Sequence, residues 1–286
     1  MAKNTTLSLR VQWLGERLRK AREQAGYTWE EAGEYLQVRH NTLSRFETGT
    51  VRARPSYVRD LVDFYGISSE RERAVLLQLN EDAWRKDWWD GDSTGFEMDF
   101  IDYTWLESRA ARICVFEPMI IHGLIQTRDY ACAITSEGLG PDTPQETIDS
   151  LVEVRMLRQR ILHADSPTEF SIVLEEAPLH RTIGSKKISK RQLEALLDLN
   201  GHNNIDIRVL PKHGGWHPGL DGPFTFIDMP DPYPDVVYIE TLVGRNFLEE
   251  EDKVERYRDA YDRLHSIALS PRESNRLIRT AVKDLK

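Results

Sequence analysis

The chain has 286 residues, 40% hydrophobic and 30% charged, with 38 Lys and Arg against 47 Asp and Glu, a formal net charge of −9. That length holds two domains with a sizeable core, and the balance of apolar and charged residues excludes a disordered or fibrous chain. No apolar run approaches the roughly 20 residues of a membrane span, the N-terminus lacks a secretion pattern, and two cysteines, Cys114 and Cys132, make no disulfide framework. A cytoplasmic protein with no membrane partner is expected.

Val11, Leu14, Leu18, Ala21 and Ala25 recur three or four apart, the apolar stripe of a first helix, and Gly26 ends it. Thr28, with Glu31 three residues on, is a capping box that opens a second helix. There Ala32 and Leu36 face inward, and Gly33 lets a neighbour approach closely. Val38 plugs the corner of a tight turn. A third helix is predicted over 41–48, with Leu43 and Phe46 inward and Gly49 as its stop, and a fourth carries Val58, Leu61, Val62 and Tyr65. Two short helices joined by a tight turn, with Arg, His, Asn and Thr opening the second, are the layout of a DNA-reading helix-turn-helix.

Charge agrees. Residues 1–79 hold 13 Lys and Arg against 10 Asp and Glu, a balance of +3, which leaves −12 for residues 80–286. Arg39, Arg45, Arg52, Arg54 and Arg59 fall in one stretch with a single acid, Glu47. A basic patch on an acidic protein is steered toward a phosphate backbone. Asn41 suits a bidentate contact to adenine, Thr42 a base edge or thymine methyl, Arg45 guanine or phosphate, and His40 either. Arg52 and Arg54, in the loop before Pro55, suit phosphates. The alternative is a helical bundle with a solvated polar face, or one that binds only protein.

Residues 10–66 resemble the lambda-repressor-like (Xre-type) helix-turn-helix domain, a five-helix unit, at Ala32-Gly33, Val38, Thr42-Leu43-Ser44-Arg45 and Glu47-x-Gly49. The resemblance implies binding to double-stranded DNA as a homodimer. Three positions depart from it. Where Trp29 stands the family has Gln, a phosphate contact; Trp29 offers one indole N–H, or packs. Gln37 replaces a favoured Gly. Arg39 replaces a Ser and cannot accept the N-cap hydrogen bond, a loss of about 1 kcal/mol that contact with phosphate can offset.

Ser69 and Glu72 make another capping box, and a helix with Val75, Leu76 and Leu79 runs to Trp84. From Asp87 to Asp102 there are six acids and no base, and Trp84, Trp88, Trp89 and Trp105 cluster around the run. Residues 83–102 therefore read as a connection between a DNA-binding domain, 1–82, and a second domain, 103–286. Its aromatics either pack on the next domain or line a pocket or partner surface.

Beyond it, helices are predicted over 104–112, 126–137, 144–163 (capped by Thr143 and Glu146), 189–200 (Ser189 and Gln192), 249–267 and 271–285 (Ser270, Pro271 and Glu273). Strands are predicted over 170–175, 205–210, 223–228 and 236–241, the last two as a hairpin across 229–235. The fold class is mainly α, with a five-helix domain followed by an α+β domain on a small sheet.

The segments GLIQTRDYACAI (123–134), RMLRQRIL (155–162), LEEAPLHRTIG (174–184), QLEALLDL (192–199), VLPKHGGWHPGLDGPFTFID (209–228), VYIET (237–241) and ALSPRES (268–274) resemble the C-terminal domain of actinobacterial WhiJ-like regulators, some of them Scr1-type and antitoxin-like. A small departure is His122, where that family has Pro. The resemblance implies a regulator whose C-terminal domain senses a ligand or binds a small protein encoded nearby.

No nucleophile elbow, phosphate loop, CxxC or HExxH occurs, so no catalytic residue, metal or cofactor is expected. His213 and His217 flank a glycine-rich loop that fixes no metal geometry. Arg155, Arg158 and Gln159 share a helix face, and pairing with Glu175 or Glu176 is expected. Trp88, Trp89, Arg155, Glu175, His213, Trp216 and His217 are the candidate ligand or partner contacts. Three readings follow: a transcriptional regulator; an antitoxin-like protein that sequesters a small partner and binds DNA for autoregulation; and, weakest, an enzyme using Glu175, His180 and His213, which requires those side chains to share one open pocket.

Overall fold

The computed structural model describes residues 8–85 and 98–285, and the chain divides into two compact units, residues 1–105 and 106–286. Trp88, Trp89 and most of the acidic run lie outside the described residues.

The first unit holds α1 (Leu9–Ala25), α2 (Trp29–Tyr35), α3 (His40–Glu47), α4 (Pro55–Phe64) and α5 (Glu70–Trp84), followed by the start of α6 (Met98–Arg109). The α1 stripe of Val11, Leu14, Leu18 and Ala21 is buried together with Ala32, Leu43, Phe46, Val58, Leu61, Leu76 and Leu79. Burial of one stripe per helix is what holds such short helices, since few would persist alone in water. Caps set their ends. Gly26 closes α1 at φ 78°, and Thr28 and Glu31 bond reciprocally at the start of α2. Glycine also permits the approach of α1 to the end of α3. A β-carbon on Gly15 would lie 2.4 Å from the Phe46 carbonyl oxygen.

The second unit is built on a six-stranded sheet: β1 (Arg112–Glu117), β2 (Glu169–Glu175), β3 (Ile205–Leu210), β4 (Phe224–Asp228), β5 (Val236–Thr241) and β6 (Gly244–Leu248), in the order β3-β2-β1-β4-β5-β6. The first three in that order are parallel and the remaining pairings antiparallel. Parallel neighbours need long crossovers. These are α7 (Arg128–Leu139) and α8 (Gln145–Arg158) between β1 and β2, then α9 (Ala177–His180) and α10 (Lys186–Leu199) between β2 and β3. The chain closes with α11 (Glu251–Ile267) and α12 (Pro271–Asp284). On one sheet face α11 lays Val254, Tyr261 and Leu264 over Cys114, Phe116, Phe226 and Val237. The Tyr261 hydroxyl bonds Ser171 Oγ at 2.6 Å.

The β4–β5 hairpin is as expected, with Thr225 opposite Tyr238. Two strands are additions, β1 at the middle of the sheet and β6 at its edge. The helix expected over 104–112 begins and ends earlier, because Arg112 opens β1. Two expected caps are corrected. Thr143 donates back to the Leu139 carbonyl at 3.2 Å, and α8 starts after Pro144 with no side-chain cap. α10 begins a turn early, capped by Ser185. Ser189 is buried within it, bonded to Ile183, and Gln192 ties the Thr127 N–H and the Ile125 carbonyl.

Two glycine substitutions should act in opposite directions. Gly15→Ala drives a methyl into backbone and should destabilise the protein by about 2 kcal/mol or more. Gly138→Ala, inside α7 with no atom within 4 Å of the added carbon, should stabilise by about 0.5–1 kcal/mol. Urea unfolding of both variants checks this; equal midpoints would refute the packing described for α1 and α3.

Candidate nucleic-acid interface

α3 turns Leu43, Phe46 and Glu47 inward. On its other side Arg39, His40, Asn41 and Arg45 are exposed and Thr42 is half-buried. Asn41 and Arg45, four apart, share a face. Among the described residues, no side-chain hydrogen bond or ion pair holds Arg39, His40, Asn41, Thr42 or Arg45. Arg39 stands at the N-cap without a side-chain bond, as its chemistry requires. The turn before it is tight. Val38 N–H donates to the Gly33 carbonyl at 2.8 Å, and a β-carbon on Gly33 would lie 3.0 Å from the Val38 oxygen. Gln37 sits at φ 55°, the one non-glycine in the left-handed region among the described residues. That conformation is unfavourable by roughly 1 kcal/mol for a residue with a β-carbon.

Beneath the exposed row lies a buried ion pair. The Glu47 side chain, 1% exposed, accepts from Arg22 Nε at 2.7 Å and Nη2 at 3.0 Å. Arg22 Nη1 donates to the Tyr27 carbonyl at 2.8 Å, and its guanidinium lies 5.2 Å over the Trp29 ring. Trp29 Nε1 donates to Glu47 Oε2 at 2.7 Å. The indole N–H of Trp29 is thus committed to Glu47, while its ring stays 41% exposed. The bond from Glu47 raises the Arg22 pKa further above its ordinary value. In the sequence Glu47 stands as the one acid of a basic stretch and as part of the Glu47-x-Gly49 motif, and neither reading places it under the helix. Its place one turn beyond Leu43, on the inward face, was the signal for a buried carboxylate.

The loop after α3 carries the remaining arginines. The Ala53 carbonyl accepts from Asn80 Nδ2 at 3.0 Å and Trp84 Nε1 at 2.8 Å, which pins the loop to α5. Arg54 is exposed, 5.9 Å over the Tyr57 ring, and Arg52 is half-buried.

In the second unit the expected pairing of Arg155 with Glu175 or Glu176 does not occur. Arg155 Nη1 donates to Gln126 Oε1 at 2.7 Å, and Gln159 donates to the Gly123 and Gln126 carbonyls, because α8 packs on the 3₁₀ turn Gly123–Ile125. Arg158 makes a bidentate pair with Glu107 at 2.7 and 2.8 Å. Burial, then the charge of Arg158, lowers Arg155 to about 10. His122 is held neutral, down to about 3, by burial and by Arg158 and Arg155. Its Nδ1 accepts the Leu124 N–H, at a backbone φ of −61° that a proline would also adopt. Burial also pushes the Glu117 carboxyl, at the end of β1, up to about 7.

Glu175 contacts His217 Nε2 at 3.3 Å, while Glu176 accepts the Lys212 N–H at 3.1 Å and faces His180 at 3.4 Å. His217 is buried and His213 exposed, so the two do not form a metal pair. Among the described residues no group of three or more His, Cys, Asp or Glu could hold a metal ion. Neither the cavity beside Trp216 nor the pocket beside Trp84 is lined by Glu175, His180 or His213. Trp216, 71% exposed, is covered on one side by Arg263, 5.6 Å from its ring.

Residues 13–76 match the family described as a helix-turn-helix domain, and residues 100–280 match the domain of unknown function DUF5753. No curated protein and no solved structure matches the chain. The second match spans most of the sequence, so the chain belongs to the DUF5753 family and carries a helix-turn-helix DNA-binding domain at its N-terminal end. No described helix is long and apolar enough to cross a membrane.

The Glu117 carboxyl gives a pH prediction. The folded protein keeps this proton to about pH 7, whereas an unfolded Glu releases it near pH 4.3. Between those values the folded state binds more protons, so this group's contribution to stability falls as pH rises and stays low above pH 7. Glu117→Gln should stabilise the protein at pH 8, by on the order of 2 kcal/mol, and change little at pH 4.5. Thermal melts at both pH values test it; an equal effect at each would refute the assignment.

Proposed function

We propose that this DUF5753-family chain is a sequence-specific transcriptional regulator, working in the cytoplasm as a homodimer. Residues 1–82 read the operator, 83–102 connect, and 103–286 accept a signal. The observation that carries the reading is the row Arg39, His40, Asn41, Thr42 and Arg45: polar side chains with no hydrogen-bond or ion-pair partner among the described residues, on a helix held from below. Asn41 and Arg45 meet base edges, Thr42 a base edge or methyl, and His40 either a base or phosphate. Arg39, Arg52 and Arg54 contact phosphates and set the register. Trp29 supports the helix that carries them rather than donating to DNA. Two recognition helices about 34 Å apart would enter successive major grooves. A signal would act by preferring one dimer geometry over another. The resemblance to WhiJ-like regulators supports the same role.

A pull-down of fragmented host DNA, sequenced, tests this. A few sharp peaks are expected. Arg45→Ala and Asn41→Ala should each lose roughly tenfold to a hundredfold in operator affinity with an unchanged fold. Arg54→Ala should weaken all sequences alike and lower the salt slope by about one. Diffuse recovery, equal in wild type and Arg45→Ala, would sink the reading.

One observation favours an antitoxin-like alternative. Leu242 and Val243, at the tip of the β5–β6 hairpin, are 103% and 94% exposed, and paired exposed apolar residues suit a protein contact. A small protein co-purifying in stoichiometric amount, and lost with Leu242→Asp and Val243→Asp together, would favour that alternative. Retention in the double variant would count against it.

A further inference from the structure

We propose that the cavity between the 216–223 loop and the outer flank of α11 is a ligand site. Its ligand would be a small planar apolar molecule bearing one anionic group. The proposal deepens the regulator reading and rests on it for what the ligand controls, though not for whether it binds.

The cavity is about 590 Å³, within the range of small-molecule sites. Its floor follows from the sheet register. Phe226, Val237 and Leu248 lie opposite one another in turn, and Phe224 and Ile239 are two residues along the same face. α11 covers the middle of that face with Val254, Tyr261 and Leu264. Phe224, Ile239 and Leu248 remain at the edge and line the cavity. Tyr257 packs edge-to-face on Phe224 at 5.0 Å, and Trp216 forms the outer wall. An indole this exposed, braced by the Arg263 guanidinium, is an aromatic plane presented to a ligand.

The charges select the ligand. Residues 80–286 carry −12, yet the cavity is lined by Lys253, Arg256 and Arg263 against two acids, Asp221 and Asp259. Lys253 pairs with Glu250, and Arg263 stacks on Trp216. Arg256 makes no ion pair or hydrogen bond among the described residues. A guanidinium without a partner, beside Tyr257 and an apolar floor, recognises a carboxylate, sulfonate or phosphate. Aromatic walls and a floor of Ile239 and Leu248 recognise a flat apolar body.

Two dyes test the site on the full chain: 1-anilinonaphthalene-8-sulfonate and its neutral counterpart N-phenyl-1-naphthylamine. We expect one saturable site per chain, with the sulfonate at least tenfold tighter. Arg256→Gln should remove that preference and leave the neutral dye unchanged, whereas Trp216→Ala should weaken both. Both positions are exposed, and circular dichroism verifies that the fold survives. Absence of saturable binding, equal affinity for the two dyes, or indifference to both substitutions would overturn the proposal. Operator affinity measured with bound dye separates the two readings: no response with the site intact refutes signalling and leaves the ligand site standing.

Discussion

A buried carboxylate governs the N-terminal unit. Taking the Glu47 charge out of water is unfavourable by several kcal/mol unless it is fully bonded. Here it is satisfied by donors from two other helices, the Arg22 guanidinium of α1 and the Trp29 indole of α2. Each donor arrives only if its helix lies at one angle to α3. The pair is therefore less a source of stability than a lock on geometry, the use best attested for buried ionic groups. Gly15 lets α1 come close enough to complete it. With its acid turned under, α3 presents an outer face of cations and an amide that no ion pair neutralises among the described residues.

Much of this was legible in the sequence, and the failures have physical causes. The five helices of the first unit announced themselves through apolar stripes at a 3.6-residue period, closed by Gly26 and opened by Thr28. The outward face of α3 was legible for the same reason. What periodicity does not encode is which partner a donor takes. Trp29 looked free for phosphate because the acceptor that claims it is eighteen residues away. The S/T-x-x-E/Q pattern named Thr28 and Ser270 correctly. It misplaced Thr143 and Ser189, whose hydroxyls serve a helix end and a buried loop instead.

The two strands that escaped notice are opposites. β1 lies between β2 and β4 and is buried on both faces, so Ile113, Cys114, Val115 and Phe116 show no alternation and make a run too short to distinguish strand from helix. β6 is an edge, and Gly244-Arg245-Asn246 offers little apolar signal; pairing with β5 and the Arg245–Glu240 bond hold it in place. Of the cavity residues Trp216 was a candidate from the sequence, and the cations were hidden differently. Arg256 and Arg263 look like ordinary helix-surface cations until the loop from Trp216 folds against them.

The bond pattern at Ala53 has a mechanical meaning. Its carbonyl is gripped by two side chains of α5, Asn80 and Trp84, and Trp84 is the last residue of that helix. Arg52 and Arg54 flank the gripped residue, while the outer face of α3 is held separately through Glu47. Unwinding the final turn of α5 would remove the Trp84 half of this grip, leave the Asn80 half, and leave the Glu47 bonds under α3 untouched. Under the proposed reading, the arginines that would grip phosphate and the side chains that would meet bases hang from two separate sets of bonds, Ala53 to α5 and Glu47 to α1 and α2, so a change in one need not reach the other.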